Sequence, residues 1–512
     1  MKHKTLTQAM AWLHTWSGLI FGWLLFAIFL TGTLAVFDKE IDGWMRPEVP
    51  TSSLSQSAAT QQALGYLARQ HPEAKTWNIG LPGERSDTLT VSAGEQRRGG
   101  GTALDPHTGE PLGVRETAGG GFFFRFHFTL NLPRDLGIWT VGLAAMAMLV
   151  ALISGIVIHK KFFKDFFTFR PAKGQRSWLD AHNATAVLVL PFHLMITYTG
   201  LVIFYLIYMP AAVDALFDGD RDNLGRALRG APAEQQARGE RPTRSEAAEL
   251  TALEPLLLAA ERAMGPVSSL SIHNPGRSDA RIEARPVLGN RIELTKGQSM
   301  LFDGVSGEIL RQPAVSRPSL LTQKVMAGLH FAQFGGYSMR WLYFVCGLAS
   351  CAMLATGVVL FTVKRRRRHD GEGAVGALLY HVAERLNVAV VAGLTVACVA
   401  FLWANRLLPV ELAQRGGWEV RVFFLVWLLS LGHAIVRPWR SAWREQLALA
   451  AALCIGLPAL NLLGGSKGDY FYLELTTVAL GLMLAWPCWK LCQAPKERAP
   501  RRVGKQPVAE AN

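Results

Sequence analysis

Two hydrophobic stretches of the chain begin with a histidine and end with Thr-Gly at the same spacing. Residues 14–32 read HTWSGLIFGWLLFAIFLTG, and residues 182–200 read HNATAVLVLPFHLMITYTG. In both stretches the final glycine follows the histidine by eighteen residues. This shared spacing predicts that the two stretches are copies of one ancestral helix.

Two further stretches correspond in the same way. Trp139 follows His127 by twelve residues, and Trp341 follows His330 by eleven. The segments that precede these histidines also share a turn motif, which reads Asp105-Pro-His-Thr-Gly-Glu110 in the first and Asp303-Gly-Val-Ser-Gly-Glu308 in the second. The sequence therefore predicts a module of helix, outer domain and helix that occurs twice.

The composition indicates an α-helical membrane protein. Half of the 512 residues are hydrophobic, and they gather in runs of about twenty, the length that an α-helix needs to cross a bilayer. We predict about eight transmembrane helices, near residues 16–37, 138–158, 184–208, 340–361, 386–404, 420–436, 447–464 and 470–490.

Lys and Arg in the short loops predict the orientation, because such residues collect on the cytoplasmic side. They follow the second, fourth and sixth predicted spans: Lys160, Lys161, Lys164, Arg170, Lys173, Arg176, Lys364–Arg368, Arg437, Arg440 and Arg444. Both termini are then cytoplasmic, in a bacterial inner membrane. The net charge of +14 reflects this topology and contact with the lipid bilayer, so nucleic acid is not an expected partner.

The two long segments between the repeated helices are predicted to be small periplasmic α+β domains. In the first, a helix near Gln61–Arg69 precedes strands near 77–81 and 88–92. In the second, a helix at Ala247–Met264 precedes strands near 268–273, 281–285 and 291–295. The predicted division is a first helix at 1–37, outer domains at 38–136 and 209–337, helices two and three at 137–208, helix four with a basic loop at 338–370, and a four-helix extension with a cytoplasmic tail at 371–512.

Six histidines near the edges of the predicted spans are candidate haem ligands, because imidazole is a common axial ligand of electron-transfer haems. A histidine at a membrane edge can equally be an ordinary interfacial side chain. His182 and His193 are eleven residues apart, about 20° from three full turns and about 16 Å of rise, so one continuous helix would present both on one face. The inner haem would take two of His14, His159 and His182, and the outer haem two of His127, His193 and His330.

Glycines recur at corresponding places in the four repeated helices, at positions 32, 155, 200 and 357. They would either admit a flat macrocycle close to the backbone or simply allow close helix packing. There is no Cys-x-x-Cys-His motif, so a haem would be held without thioether links.

Several of these segments match a known family. The chain resembles the PepSY-associated transmembrane proteins over about residues 1–370, through Trp12-Leu-His-Thr-Trp-Ser-Gly18, Phe124-Arg-Phe-His-Phe128, Trp178-Leu-Asp-Ala-His182, Leu329-His-Phe331 and the two Asp-x-x-x-Gly-Glu turns. The resemblance implies PepSY-like periplasmic domains and a role in bacterial iron uptake. Some relatives are haem-containing ferric-siderophore reductases, whereas the four helices after residue 380 extend beyond the family pattern.

These observations predict a protein with two haem b groups that carries electrons outward to reduce a ferric siderophore. No G-x-G-x-x-G motif follows a predicted strand, and there is no Walker loop, so a cytoplasmic partner or membrane quinol would supply the electrons. Other siderophore-processing proteins are possible partners. Two alternatives are a non-enzymatic binding or regulatory module and a permease for iron or its chelate, although the spans have few of the acidic groups that a coupled transporter usually carries.

Overall fold

The structure is a computed structural model. It describes residues 5–51, 54–94, 101–159, 170, 173–220, 223–224, 246–289, 291–313, 315–366, 371, 373–465 and 468–493. The basic run at Lys160, Lys161 and Lys164, the arginines 367–368 and the tail after Gln493 lie outside these residues.

The elements of the repeated part alternate between long apolar helices and two mixed outer segments. In chain order they are α1 (Leu6–Ala35), α2 (Asp38–Trp44), α3 (Gln56–Gln70), β1 (Thr76–Gly80), β2 (Leu89–Ala93), β3 (Thr102–Leu104), α4 (Gly121–Thr129), α5 (Arg134–Ile158), α6 (Gln175–Leu188), α7 (Leu190–Ile203), α8 (Tyr205–Tyr208), α9 (Ala211–Phe217), α10 (Leu253–Met264), β4 (Val267–His273), β5 (Arg281–Pro286), β6 (Met300–Asp303), β7 (Ile309–Arg311), α11 (Pro318–Phe331) and α12 (Gly336–Arg365).

The C-terminal extension is entirely helical in the part that the structure describes. Its elements are α13 (Gly373–Asn387), a π-helical segment (Val388–Gly393), α14 (Leu394–Leu407), α15 (Arg415–Val436), α16 (Trp439–Leu463) and α17 (Phe471–Gln493). Residues 373–407 run as one span through the π-helical segment.

The prediction of about eight membrane-spanning helices is confirmed. Among the described residues, seven helices are long and apolar enough to cross a membrane, and a bent pair makes an eighth. The chain is therefore a multi-pass membrane protein.

The third predicted span is broken. α6 and α7 meet at Val189 with a bend of 66°. Pro191 explains the break, because proline has no N–H to donate and its ring clashes with the carbonyl four residues earlier. The prediction that one continuous helix presents His182 and His193 on the same face was therefore wrong.

The strands of the two outer segments form one seven-stranded sheet in the order β3-β2-β1-β4-β5-β6-β7. β1 and β4 join the two halves in antiparallel pairing, with Asn78 opposite Ser271. α3 and α10 cover one face, and their side chains share a single hydrophobic core with both sets of strands. The two predicted α+β units thus complete each other, since each supplies one edge and half of the core.

One predicted strand is absent from this sheet. Residues 291–295 form no strand, because Leu294 donates its N–H to the carbonyl oxygen of Lys324 in α11, at 2.9 Å. β6 at Met300–Asp303 pairs with β5 instead.

The repeated Asp-x-x-x-Gly-Glu turn has the same conformation in both halves. Asp105 Oδ1 accepts from the N–H of His107 at 2.8 Å, and Asp303 Oδ1 accepts from the N–H of the corresponding residue, Val305, at 3.0 Å and from that of Ser306 at 2.9 Å. This backbone hydrogen bond at Ser306 holds the pKa of Asp303 below its usual value. The glycines that close the turns have φ values of 72° and 77°, a left-handed conformation that glycine adopts without strain.

The sheet domain is attached to the helix bundle by Arg85, which lies in the β1–β2 connection. Its guanidinium donates to Glu40 Oε2 at 2.7 Å, to Asp38 Oδ1 at 3.1 Å and to the carbonyl oxygen of Val36 at 3.1 Å. All three acceptors lie at the end of α1 or in α2. The sheet domain is therefore held directly over the C-terminal end of the first span.

A substitution in the shared core should loosen both outer segments together. Ile79 on β1 is fully buried, so we expect Ile79→Ala to cost about 2–5 kcal/mol of domain stability. Hydrogen exchange by mass spectrometry should then accelerate in β4 and β5 as well as in β1 and β2. Leu288→Ala, at a side chain that is 46% exposed, is the matched control, and faster exchange in the first segment alone would contradict a single core.

Candidate functional site

Four of the six predicted histidines form two pairs. The rings of His14 and His182 have centroids 6.2 Å apart with an interplanar angle of 67°. The rings of His127 and His330 are 6.0 Å apart at 35°. We call the first the inner pair and the second, which lies toward the sheet domain, the outer pair. Each pair takes one histidine from each copy of the repeat.

Each of these four rings lies on a glycine of a neighbouring helix. A Cβ atom added at any of these glycines would lie closer to the ring than ordinary van der Waals contact. The distances would be 2.5 Å for Gly32 against His127, 2.8 Å for Gly200 against His330, 3.1 Å for Gly357 against His182 and 3.2 Å for Gly155 against His14. The recurring glycines therefore leave space for imidazole rings. This contact explains why glycine recurs at these positions of the repeat.

Three of the same helices also supply a backbone hydrogen-bond acceptor to the ring, at the residue four positions before the glycine. The Nδ1 atoms lie 2.8 Å from the carbonyl oxygen of Ala151 for His14, 2.7 Å from that of Ile28 for His127 and 2.9 Å from that of Met353 for His182. In the fourth case, Nδ1 of His330 lies 3.2 Å from Oγ1 of Thr199, the residue before Gly200.

A hydroxyl group precedes every one of these glycines and reinforces the arrangement. Each donates to the carbonyl four residues before it, at 2.7–2.8 Å. Its oxygen also lies near the carbonyl three residues before it: Ser154 from Ala151 at 3.0 Å, Thr356 from Met353 at 3.0 Å, Thr31 from Ile28 at 3.3 Å and Thr199 from Ile196 at 3.3 Å. We call each set of carbonyl, hydroxyl, glycine and facing histidine a histidine seat. The chain contains this seat four times.

The hydrogen bonds of the seats determine which nitrogen of each imidazole carries the proton. A carbonyl oxygen can only accept a hydrogen bond, so Nδ1 of the facing ring must carry the proton. In a neutral ring the lone pair is then on Nε2, the nitrogen that remains available to a metal. A ligating histidine typically uses its second nitrogen in this way, to donate to a carbonyl that orients the ring. The two imidazoles of each pair could therefore serve as metal ligands through Nε2.

The two pairs lie at different depths of the bundle. Gly32, which contacts the outer pair, is eighteen residues beyond His14 on α1, about 27 Å along the helix axis at 1.5 Å per residue. The hydrocarbon core of a bilayer is about 30 Å thick. The pairs thus lie toward opposite surfaces of the membrane.

Neither pair includes His193 or His159. His193 is fully buried in α7, and its Nε2 lies 2.9 Å from Ser350 Oγ of α12. Beyond the bend at Val189, α7 packs mainly on α11 and α5, whereas α6 packs on α12. His159 is the residue that ends α5, four positions after Gly155.

The helices that carry the outer histidines were not predicted. α4 and α11 are short, and each is followed by a residue in the left-handed conformation, Leu130 and Ala332 respectively. α4 buries three phenylalanines against the C-terminal extension, with Phe122 4.8 Å from Phe401 between ring centroids. The Phe-rich sequence 122–126 is the only signal that could have revealed this packing.

The bundle, the shared outer sheet and the two imidazole pairs define a membrane protein with two half-buried two-histidine sites. The model of the PepSY-associated TM region family matches residues 11–364, so the chain belongs to this family. The four histidine seats all fall inside the matched region, and the C-terminal extension lies beyond it. The chain is also similar to an uncharacterised protein of Pseudomonas aeruginosa, with 24% identity over 403 residues that cover 73% of this chain and 97% of that protein.

Proposed function

We propose that the protein is a haem b protein of the bacterial inner membrane that carries electrons outward and reduces a ferric siderophore in the periplasm. The four equivalent histidine seats are the observation that carries this proposal. They place two pairs of metal-ready imidazoles at two levels of a membrane bundle. Each pair would hold one haem.

The separation within each pair fits two ligands on opposite sides of one metal ion. Imidazole nitrogens bind transition metals at about 2 Å, and the ring centroid lies about 1 Å behind the nitrogen, so two such rings have centroids about 6 Å apart. The two observed separations are 6.2 and 6.0 Å.

An apolar groove, open on one side, lies beside the outer pair and supports the same assignment. It has a volume of about 530 Å³, lies between α5, α7 and α11, and is lined by aliphatic side chains together with Tyr198 and Thr199. Thr199 also contacts His330. A hydrophobic space of this size next to an oriented imidazole suits a largely apolar ligand.

The proposed direction of electron flow rests on the orientation that the charges favour. Lys364 and Arg365 end α12 at the side of the bundle away from the sheet domain, and basic residues favour the cytoplasm. Electrons would then enter near His14 and His182, from a cytoplasmic partner or membrane quinol, and leave near His127 and His330. The substrate would be held on the periplasmic side, where the sheet domain lies.

Reduction would act as a release step. Siderophores bind iron through hard oxygen ligands, which hold Fe(III) much more strongly than Fe(II), so one electron loosens the complex and leaves the chelator intact. When bound, haem supplies the one-electron chemistry. The protein would hold the imidazoles neutral and oriented, keep water from the inner pair and bring the ferric chelate to the outer pair.

The test is spectroscopic. Protein purified from haem-sufficient cells should show the α and β bands of a two-imidazole haem after reduction with dithionite. Addition of a ferric siderophore to the reduced protein, without oxygen, should restore the oxidised spectrum. The gallium complex of the same siderophore is the control, because Ga(III) has nearly the same shape and cannot accept the electron.

The results separate the alternatives. A colourless preparation would refute the proposal and favour a binding or regulatory module. If the ferric and gallium complexes leave the haem equally reduced, the proposed reductase activity is refuted and only the proposed cofactor is retained.

A further inference from the structure

The C-terminal extension contacts residues 115–119 and α4, the helix to which this segment leads. We call this segment the strap. α4 follows directly and carries His127 in its last turn. The strap is thus the covalent link between the sheet domain and one outer histidine, and whatever fixes the strap fixes the start of α4.

A fully buried ion pair of α15 holds the strap. Arg415 and Glu419 are 2.7 Å apart, and both side chains are 0% exposed. Glu419 Oε2 accepts from the hydroxyl of Thr117 at 2.7 Å and from the N–H of Ala118 at 2.9 Å. Arg415 donates to the carbonyl oxygen of Glu116 at 3.1 Å. Buried charges are retained only where such bonds satisfy them, and here most of the partners belong to the strap or to α14.

The approach between the two parts is close. A Cβ atom at Gly416 would lie 2.8 Å from the backbone nitrogen of Ala118, so only glycine allows α15 to begin here. Asn405 of α14 joins the same network, and its Nδ2 donates to Glu419 Oε1 at 2.8 Å and to Thr117 Oγ1 at 3.2 Å.

Aromatic packing continues this contact along α4. Phe122 and Phe126 are buried and lie 4.9 and 5.5 Å from Phe423 of α15 between ring centroids. The buried face of α4 therefore packs on the extension, while His127 faces Gly32 of α1.

The second copy of the repeat is held differently. α11, which carries His330, packs on α7 and on the segment before it, where a Cβ atom at Gly328 would overlap the carbonyl oxygen of Ile292. The extension therefore breaks the symmetry between the two outer histidines.

We propose that the four C-terminal helices are a clamp on the strap and α4, and that Glu419 and Thr117 are positioning residues for His127. The effect of this clamp on the outer haem rests on the proposed function, whereas its effect on α4 does not. The clamp would set how rigidly one imidazole of the outer pair is held, and so the potential and retention of the outer cofactor.

Two isosteric variants of one residue test the clamp. Thr117→Val removes the hydroxyl that donates to Glu419 and that accepts from the N–H of Gly119 at 3.0 Å, and Thr117→Ser retains it. Because the loss of a hydrogen bond to a buried charged group changes a local opening equilibrium by about tenfold or more, amide exchange in α4 should accelerate about tenfold in Thr117→Val. Exchange in α11 should stay at the wild-type rate, and Thr117→Ser should behave as wild type.

A second measurement follows the cofactor. In Thr117→Val the midpoint potential or axial-ligand EPR signal of one haem should change while the other is unaffected, and Glu419→Ala should lose the outer haem in most molecules. Glu411→Gln, at an exposed residue of the loop between α14 and α15, is the matched control. Equal acceleration of α4 and α11, or wild-type exchange in α4, would overturn the clamp. Absence of haem from the wild-type protein would refute the proposed function, and the exchange result would still decide the clamp.

Discussion

His182→Ala is expected to purify with one haem in place of two, and the missing haem should be the inner one. The same loss is expected for His14→Ala, because the two imidazoles face each other at 6.2 Å and a haem with one of two axial histidines is weakly retained. His127→Ala and His330→Ala should each lose the outer haem. The measurement is the haem content per chain together with the EPR signal of the haem that remains.

Because the histidines act in pairs, the pairing also predicts how double variants should behave. The double variant His14→Ala/His182→Ala should retain about as much haem as either single variant, since residues of one site act as a unit. Retention of half the haem in His14→Ala/His127→Ala would contradict the pairing, because that variant removes a ligand from each site. Imidazole added to His182→Gly should restore the inner haem if the loss is due to the missing ligand alone.

His193 is the matched control for these variants. Its Nε2 bonds to Ser350, so His193→Gln, whose amide can also bond to a hydroxyl, should retain both haems. Loss of a haem in this variant would indicate that His193 is a haem ligand, as the sequence predicted.

The second large effect is expected from the glycine seats. Gly32→Ala places a methyl group 2.5 Å from the ring of His127, and Gly200→Ala places one 2.8 Å from His330. Both are closer than carbon and nitrogen can approach without displacement, so the ring must move and its bond to the carbonyl must lengthen. We expect most of the outer haem to be lost in Gly32→Ala, with the inner haem retained.

The inner seats should be more tolerant. The corresponding distances are 3.2 Å at Gly155 and 3.1 Å at Gly357, and a neighbour can yield by a few tenths of an ångström. Gly155→Ala and Gly357→Ala should therefore shift the spectrum of the inner haem with little loss of content. Gly18→Ala is the control on α1, since nothing lies within 4 Å of its Cβ position. Equal haem content in Gly32→Ala and Gly18→Ala would show that the glycine serves helix packing only.

Much of the architecture was predictable because it depends on local patterns in the sequence. Runs of about twenty apolar residues predicted all of the spans, and the histidine and glycine spacings predicted the repeat. The inner and outer grouping of the histidines was also predictable, because position along a span reports depth in the membrane. Neither the pairing His14 with His182 nor the role of the glycines was fixed by these patterns, since the same spacings suit plain helix packing.

Other features depend on contacts between residues far apart in sequence. Asn78 and Ser271 are almost two hundred residues apart, yet they face each other where β1 and β4 join the two outer segments. The buried pair Arg415 and Glu419 is an ordinary i,i+4 pair in sequence, and only its contact with the strap gives it a role.

The amino-acid sequence by itself determined a multi-pass membrane protein with a duplicated module and histidines at two depths, because hydrophobic length and periodic spacing are properties of single helices. Only the tertiary structure decided which imidazoles face each other, that Pro191 bends the third span, and that the C-terminal helices hold α4. These depend on how helices pack side by side, where a carbonyl four residues before a glycine on one helix becomes the partner of a histidine on another.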